Sequence, residues 1–229
     1  MAIKTAFLGK EYQISKNNIS KTIKNISDID FTFDHILFPN QIHSNKVLVI
    51  DSKEKIFEDD NRPQCDAIIT DLKNVAIGVV TADCAPILLW DEKNNIIAAI
   101  HAGWRGALSK IIENTIMTMK KIGAENIKAE IGPMIQQDSY EVSQDLLDKF
   151  CHDDSQNNKF FIKSKIVDKF QFNLNGFIKN SLIESGLNDI KNSKLDTFTE
   201  EEKYYSYRRY IKRNKLEEYG RNISIICIN

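Results

Sequence analysis

The sequence predicts a protein that combines β-strands and α-helices in one domain. Three short runs, Ala67–Thr70, Val75–Thr81 and 96–100, are rich in β-branched residues and nearly free of charge, which is typical of strands covered on both faces. The segment 107–121 repeats apolar residues at steps of three and four, the pattern of an amphipathic helix closed by Gly123. Because no linker, internal repeat or low-complexity tail interrupts the 229 residues, we predict a single domain over 1–229.

The same patterns predict the remaining elements. Strands are expected at 35–38, Val47–Ile50, 127–131 and 223–228. Helices are expected from an N-cap at Ser143 to Phe150, and around 174–182 with a stop at Gly186. The polar segment 151–165 is expected to be a loop, and 19–26 shows only a weak helical spacing.

The composition argues against several classes of protein. Hydrophobic residues make up 42% of the chain, enough for a sizeable core, and the net charge of −1 gives no electrostatic reason to expect nucleic acid or an anionic membrane as a partner. The four cysteines form no closely spaced pairs. The N-terminus lacks the hydrophobic run of a signal peptide, and no run of about 18 apolar residues is present to span a bilayer. We therefore expect a soluble, reduced, cytoplasmic protein.

Reactive side chains follow two of the predicted strands. Cys84 comes shortly after the second run and His101 directly after the third, so we expect the thiol and the imidazole at the ends of two neighbouring strands. Either residue alone is typical of a buried core. Gly103 and Gly106 permit close approach of the backbone, and Arg105 lies between them. The combination indicates a functional site.

Four motifs occur in order along the chain: ADCAPILLWD, AAIHAGWRG, IGPMIQQDSYEV and YYSYRR. With them the chain, from about Phe38 to its C-terminus, resembles the YfiH-type family, described first as laccase-domain or polyphenol oxidase proteins and later as purine nucleoside phosphorylases. The resemblance implies an α+β fold, a single-domain αββα-type sandwich of mixed β-sheets flanked by helices. It also implies phosphorolysis of adenosine, inosine and S-methyl-5′-thioadenosine, with adenosine deamination alongside.

The resemblance further implies a mononuclear zinc ion held by two histidines and one cysteine, here His43, Cys84 and His101. Copper is the other ion that the older laccase description suggests. Two imidazoles and one thiolate suit Zn²⁺, and three protein ligands leave a fourth position open, as in catalytic sites. An ion held in this way activates water, which deamination needs. The three residues are too far apart in sequence for a finger-type motif, so the metal assignment depends on the resemblance.

Phosphate recognition is expected to involve two arginines. Arg105 and Arg208 carry guanidinium groups that match phosphate oxygens bidentately, and the start of the helix after Gly103 offers free backbone N–H groups. Arg209 is interpreted as a surface charge. Asp83 is interpreted either as the group that orients a ligating histidine or as a turn cap at the strand end. The expected partners are a nucleoside and phosphate, with the chain acting as a monomer or homodimer.

The chain departs from the family pattern in three places. The Ser-Leu-Asn-x-Gly segment that usually precedes the first histidine motif is missing, which leaves the substrate preference open. Ser139 stands where relatives often carry Asn or Cys, and Asp196 stands in a usual Cys position.

Three other functions use the same residues. Cys84 as nucleophile with His101 as base would make a metal-free hydrolase or amidase, which would not need His43. A multicopper oxidase is less well supported, because such a site needs many histidines and this chain has four. A non-catalytic metal- or nucleoside-binding protein is the third alternative.

Overall fold

A computed structural model describes residues 2–12, 29–215 and 220–229. Within these ranges the strands are β1 (Ile3–Leu8), β2 (His35–Leu37), β3 (Val47–Ile50), β4 (Ala67–Thr70), β5 (Val75–Thr81), β6 (Ala85–Asp91), β7 (Ile96–Ala102), β8 (Lys128–Ile131), β9 (Glu141–Ser143), β10 (Phe161–Lys163), β11 (Lys169–Phe172), β12 (Ile190–Asn192) and β13 (Asn222–Ile228). The helices are α1 (Trp104–Leu108), α2 (Ile111–Lys121), α3 (Gln144–Asp153), α4 (Leu174–Glu184) and α5 (Tyr207–Arg213). The segment 19–26, with its weak helical spacing, lies outside the described residues.

The described strands form three sheets. A four-stranded sheet has the order β1-β13-β5-β2, a six-stranded sheet has the order β12-β8-β6-β7-β4-β3, and a small sheet has the order β10-β11-β9. Both larger sheets are mixed, because β2 runs parallel to β5, and β3 and β12 run parallel to β4 and β8, while the other pairs are antiparallel. The predicted α+β class with mixed sheets is confirmed.

The six-stranded sheet lies between two apolar layers. On β4, Ile68 faces the four-stranded sheet, where it joins Ile77 and Ile226. The next residue, Ile69, belongs to the core on the opposite face, with helix residues such as Ile112. Successive strand residues point to opposite faces, so a strand that is buried on both must be apolar at every position. None of the helices in the described ranges is both long and apolar enough to cross a membrane.

The helix predicted over 107–121 is two helices. α1 begins earlier, at Trp104, and ends at Leu108; Lys110 then adopts a left-handed conformation, with φ of 70°, before α2 begins. The predicted stripe is otherwise confirmed, since Ile112 and Met119 are fully buried. The break separates a short helix at the strand end from a longer helix that packs on the sheet.

The prediction of a polar loop over 151–165 is wrong. α3 continues to Asp153, a 3₁₀ helix spans Ser155–Phe160, and β10 follows. Phe160 and Phe161 are buried, and Phe161 stacks on Phe172 at 4.4 Å between ring centroids. This aromatic pair gives the otherwise polar segment a core contact.

The sequence suggested that the strand before Cys84 and the strand that contains His101 are neighbours, and this prediction is wrong. β5 belongs to the four-stranded sheet and β7 to the six-stranded sheet. The chain crosses between the sheets through residues 82–84 and continues as β6, where Ala85 pairs with Ala102. Because Cys84 directly precedes β6 and His101 is part of the adjacent strand β7, the thiol still reaches the imidazole, at one end of the β6–β7 pair within the six-stranded sheet.

Candidate functional site

Three side chains from separate segments meet at the edge of the six-stranded sheet, and we call His43, Cys84 and His101 the His–Cys–His cluster. One ligand atom from each residue lies within 4.8 Å of the other two. The Sγ of Cys84 is 4.0 Å from Nε2 of His43, and the two imidazole rings meet edge to face at 4.7 Å between centroids. His101 is buried, Cys84 is partly exposed and His43 is exposed, so the cluster opens to solvent on one side.

The buried carboxylate of Asp66 organises this cluster. Its oxygens accept hydrogen bonds from the backbone N–H groups of Ile42, His43 and Ser44, at 3.3, 3.0 and 2.6 Å, and from the Ser44 hydroxyl at 2.7 Å. Its Oδ1 also lies 2.8 Å from Nδ1 of His101. Since a carboxylate can only accept, the hydrogen is on Nδ1, and in the neutral imidazole Nε2 of His101 is then the nitrogen that carries the lone pair.

The sequence offered two roles for Asp83, orienting a ligating histidine or capping the turn at the strand end, and its carboxylate bonds to neither histidine. Its carboxylate accepts hydrogen bonds from the Thr197 hydroxyl at 2.7 Å and from the backbone N–H of Arg208 at 2.6 Å. Its backbone is left-handed, with φ of 85°, in the turn that leads to Cys84. Asp83 therefore ties this turn to the C-terminal segment, and burial raises the pKa of its carboxyl group.

The charged forms of Cys84 and His101 stabilise each other and shift each other's pKa. Burial alone would raise the pKa of the Cys84 thiol, but His101 and His43 outweigh it and lower this pKa to about 6. Burial would likewise lower the pKa of His101, yet Cys84 and Asp66 raise it to about 9. Both shifts favour the charged forms, a thiolate on Cys84 and an imidazolium on His101. A thiolate is the form of cysteine that binds metals and attacks electrophiles.

Gly103 is required by the close packing of the cluster. A Cβ atom at this position would lie 2.8 Å from Sγ of Cys84 and 3.2 Å from Cδ2 of His43. Distances below 3.0 Å force a neighbour to move. The glycine thus provides the space in which the thiol and the exposed imidazole approach each other.

The cluster fits a tetrahedral metal ion. Zinc–sulfur and zinc–nitrogen bonds of about 2.3 and 2.0 Å place sulfur and nitrogen about 3.6 Å apart. The Cys84–His43 distance of 4.0 Å is close to that value. The chemistry of the donors agrees, with a thiol of lowered pKa and an imidazole whose other nitrogen is fixed by a carboxylate.

A cavity of about 400 Å³ adjoins the cluster, and we call it the aromatic cavity. Its walls include Trp104, Tyr140, Leu174, Tyr207, Arg105 and Arg208. The Arg105 guanidinium lies 4.3 Å from the centroid of the partly buried Trp104 ring system, and that of Arg208 lies 5.4 Å from the centroid of the Tyr140 ring. Arg208 also donates from Nη1 to the Glu141 carbonyl at 2.6 Å. Both arginines singled out in the sequence therefore line the same cavity.

A second cavity, of about 510 Å³, also adjoins the cluster and shares His43, Cys84 and Arg105 with the first; we call it the arginine cavity. Its walls include Asn40, Gln41, Arg62, Thr81, Arg105 and Arg221. Two hydrogen bonds fix the orientation of the Gln41 side chain: its amide N–H donates to the Val80 carbonyl at 2.7 Å, and its amide oxygen accepts from the Val80 N–H at 2.8 Å. This clamp joins the His43 loop to the end of β5.

Arg209 is not the surface charge that the sequence suggested. It is 4% exposed, and its guanidinium donates to the backbone carbonyls of Thr197, Phe198 and Tyr204. These three carbonyls are not hydrogen-bonded within a helix or strand, and the buried guanidinium of Arg209 donates to all of them. Arg209 thus stabilises the segment that presents Arg208 to the aromatic cavity.

The two substituted family positions contact each other. The Ser139 hydroxyl donates to the Asp196 carboxylate at 2.5 Å, and the same carboxylate accepts from the backbone N–H groups of Gln136 and Phe198. Ser139 directly precedes Tyr140, so this bond lies beside the wall of the aromatic cavity.

Sequence reasoning missed the orienting role of Asp66, and it did not place Arg62, Thr81 and Arg221 in the wall of a cavity beside the cluster. A buried aspartate directly before an apolar strand was the available signal for Asp66, because a charge in such a place needs several partners. The arginines gave no signal, since their positions in sequence resemble those of ordinary surface residues.

Comparisons with known proteins agree with this architecture. The chain is 38% identical over 203 residues to a purine nucleoside phosphorylase of Rickettsia prowazekii, covering 89% of this chain and 82% of the relative. It is 32% identical over 160 residues to an adenosine deaminase named RL5 from an unknown prokaryotic organism, covering 67% and 61%. A crystal structure of Bacillus licheniformis YfiH matches with a TM-score of 0.82 and 25% identity, covering 97% of this chain and 85% of that one.

The family model described as multi-copper polyphenol oxidoreductase laccase matches residues 7–229. In the described ranges, the His–Cys–His cluster is the one group of three or more potential ligands that could hold a metal ion, and His35 and His152 lie outside it. With nearly the whole chain matched and the fold shared with YfiH, this protein belongs to the YfiH-type laccase-domain family.

Proposed function

We propose that this protein is a zinc-dependent purine nucleoside phosphorylase that acts on adenosine, inosine and S-methyl-5′-thioadenosine, and that it also deaminates adenosine. The convergence of His43, Cys84 and His101 beside a cavity with aromatic walls and two guanidinium groups carries the proposal. The names of the relatives support the reaction class. The enzyme would thus be both a transferase and a hydrolase.

In this proposal His43, Cys84 and His101 hold one zinc ion, and Asp66 fixes the His101 tautomer that leaves Nε2 for the metal. Bound zinc supplies Lewis acidity at an open coordination position. Copper is the alternative suggested by the family description, and elemental analysis distinguishes the two ions.

The aromatic cavity suits the substrates of phosphorolysis. In that reaction a phosphate oxygen bonds to C1′ of the ribose while the C1′–N9 bond breaks, and the purine leaves with a proton. Trp104 and Tyr140 offer ring surfaces for a purine, and the guanidinium forks of Arg105 and Arg208 match phosphate oxygens. Deamination instead places a water oxygen on C6 of adenosine and releases ammonia.

The test is metal analysis of protein purified without added metal, followed by a nucleoside panel with and without phosphate. We expect zinc, phosphate-dependent release of free purine, and release of ammonia from adenosine without phosphate. His43→Ala, Cys84→Ala and His101→Ala should each lose zinc and at least about 100-fold of the turnover, because two ligands hold the ion far less well than three. His152→Ala and Cys151→Ala, outside the cluster, are the matched controls.

A metal-free cysteine hydrolase or amidase is the second candidate, and the lowered pKa of Cys84 beside a His101 of raised pKa favours it. Its mutational pattern differs, since Cys84→Ala and His101→Ala would be inactive and His43→Ala would be active. An activity that resists chelators and tolerates His43→Ala contradicts the zinc proposal. Nucleoside or metal binding without turnover would instead support a non-catalytic binding protein.

A further inference from the structure

The hydroxyl of Tyr140 has no hydrogen-bond partner in the described part of the chain. The ring itself is partly buried and packs against the core, with its centroid 5.7 Å from that of Phe172. Phenylalanine would keep these ring contacts without a polar atom that needs a partner. The packing of the ring therefore does not account for the hydroxyl, whereas a ligand that accepts its hydrogen would.

The hydroxyl end of this ring faces the aromatic cavity. Tyr140 lines the cavity, and the charged groups that shift the pKa of its phenol are also walls of that cavity: Cys84, Arg208, Asp83 and Arg105. Burial is the largest cause of the shift and raises the pKa of the phenol above its ordinary value. The hydroxyl is therefore protonated at neutral pH and can donate a hydrogen bond into the cavity.

Backbone hydrogen bonds and ring contacts hold Tyr140 in place. Its N–H donates to the Gln137 carbonyl at 3.1 Å, and its carbonyl accepts from the N–H of Phe172 at 3.0 Å. The Arg208 guanidinium lies 5.4 Å from the ring centroid. A donor that is fixed before the substrate arrives loses little entropy on binding, which is the condition for stabilising a charge that develops during a reaction.

We propose that the Tyr140 hydroxyl donates a hydrogen bond to N7 of the purine and stabilises the base as the leaving group of phosphorolysis. The inference rests on the proposed function, which brings a purine into the aromatic cavity. Adenosine, inosine and S-methyl-5′-thioadenosine differ at C6 or C5′ but share the acceptor N7. One donor at this atom would therefore serve all three substrates.

This hydrogen bond strengthens as the glycosidic bond breaks. The electron pair of the C1′–N9 bond passes to the purine while a phosphate oxygen bonds to C1′, and the purine gains the proton that the phosphate loses. Negative charge builds on the base in the course of this step. A donor at N7 bonds more strongly to the charged base than to the neutral nucleoside, and the difference lowers the barrier. Tyr140 keeps its own proton throughout.

Tyr140→Phe tests the role of the hydroxyl, because it removes that group and leaves the ring. We expect kcat for the phosphorolysis of inosine to fall about 10- to 100-fold, and KM for inosine to rise less than about tenfold. The metal content and the melting temperature should match those of the parent, because the hydroxyl bonds to no described residue. Tyr205→Phe, which removes a phenol hydroxyl outside the walls of both cavities, is the matched control and should keep the parental kinetics.

A pair of ligands tests the contact with N7 itself. Inosine and 7-deazainosine, in which a C–H group replaces N7, are titrated into the full chain by calorimetry without phosphate, so that phosphorolysis consumes neither. We expect the parent to bind 7-deazainosine about three- to tenfold more weakly than inosine, and Tyr140→Phe to bind the two within about twofold of each other. A hydroxyl with a merely structural role would leave the ratio of the two affinities unchanged on its removal.

The outcomes separate this inference from the proposed function. Parental kcat in Tyr140→Phe overturns the inference while the proposed function stands, and so does equal affinity of the parent for the two ligands. A lower melting temperature of Tyr140→Phe with a parental ratio of the two affinities assigns the hydroxyl to the fold and also overturns the inference. A parent that releases no purine from inosine in the presence of phosphate overturns the inference and the proposed function together.

Discussion

At the scale of single residues, Asp66 joins the two histidine-bearing segments. One carboxylate accepts from three consecutive backbone N–H groups, from the Ser44 hydroxyl and from His101. The N–H groups include that of His43, whose left-handed backbone, with φ of 59°, is unfavourable without such support. The orientation of both imidazoles therefore depends on one buried charge.

Asp66→Asn should lower both the stability of the fold and the affinity for metal, although the two side chains have almost the same shape. An amide oxygen cannot satisfy all the donors that the carboxylate accepts, and the amide N–H₂ would face other donors. We expect a loss of about 2–4 kcal/mol in the free energy of unfolding and about 10- to 100-fold weaker metal binding. Chemical denaturation and competition with a metal indicator measure the two effects. A variant with parental zinc affinity would contradict the orienting role.

The pH dependence of stability gives a separate check on Asp66. Burial would raise its pKa, but the hydrogen bonds from His101 and Ser44 outweigh burial and lower it from 3.8 to about 2. A carboxyl group with a depressed pKa stabilises the folded state above its unfolded pKa and loses that contribution as the pH falls through its folded pKa. The stability difference between parent and Asp66→Asn should therefore shrink as the pH falls from about 4 towards 2.

If the cluster holds zinc as proposed, Gly103→Ala should abolish zinc binding while leaving the fold intact. The φ of Gly103 is −78°, which alanine adopts readily, so the cost is the contact of the new methyl group with Cys84 and His43. We expect loss of zinc and activity with less than about 1 kcal/mol change in stability. Gly186→Ala is the complementary control: its φ is +93° and it lies away from the cluster, so it should cost about 1 kcal/mol and keep zinc. Parental zinc content in Gly103→Ala would contradict this account.

At the scale of elements, α2 packs one apolar face onto the six-stranded sheet. Ile112→Asp places a charge at a fully buried position and should lower the free energy of unfolding by several kcal/mol, enough to unfold a marginal domain. Met117 is on the same helix and 49% exposed, so Met117→Asp should change stability by less than about 0.5 kcal/mol. Urea denaturation compares the two. Equal midpoints would refute the assigned face of the helix.

The spacing of apolar residues in the sequence predicted most of the strands and helices, because that spacing reflects which residues are buried. The strands β3, β4 and β5 agree with the predicted runs, and Ile112 and Met119 lie on the predicted face. The break at Lys110 could not be predicted, because the apolar repeat continues across it and lysine has no preference for a left-handed backbone. β6 carries Pro86 at its second position, which argues against a strand; the structure places it beyond the end of the pairing with β8.

Site geometry was predictable only in part, because most contacts join distant segments. The cluster of His43, Cys84 and His101 follows from the family motifs, and their proximity agrees with them. Asp66 and Asp83 both adjoin strands in the sequence, and only the register of β4 against β7 places Asp66 beside His101. The sequence analysis considered only Asp83 for the orienting role, and the sheet topology is what assigns it to Asp66.

At the scale of the whole molecule, the two large cores share strands. Neighbouring residues of β4, β6 and β7 alternate between the core against the four-stranded sheet and the core against the helices. Unfolding either core exposes one face of the same strands. We therefore expect one cooperative transition for the chain, with equal calorimetric and van't Hoff enthalpies. Two resolved transitions would contradict the single domain predicted over 1–229.

Two of the three cluster residues lie where the chain crosses from one sheet to the other. His43 is on the connection from β2 to β3, and Cys84 is on the connection from β5 to β6. An added or deleted residue in either crossing would shift a ligand atom by up to about 3 Å, more than metal binding tolerates. The turn at 164–168, where Ile166 and Val167 are exposed, has no such constraint. During divergence of this family, changes in chain length are thus expected in hairpin turns and to be absent from the two crossings.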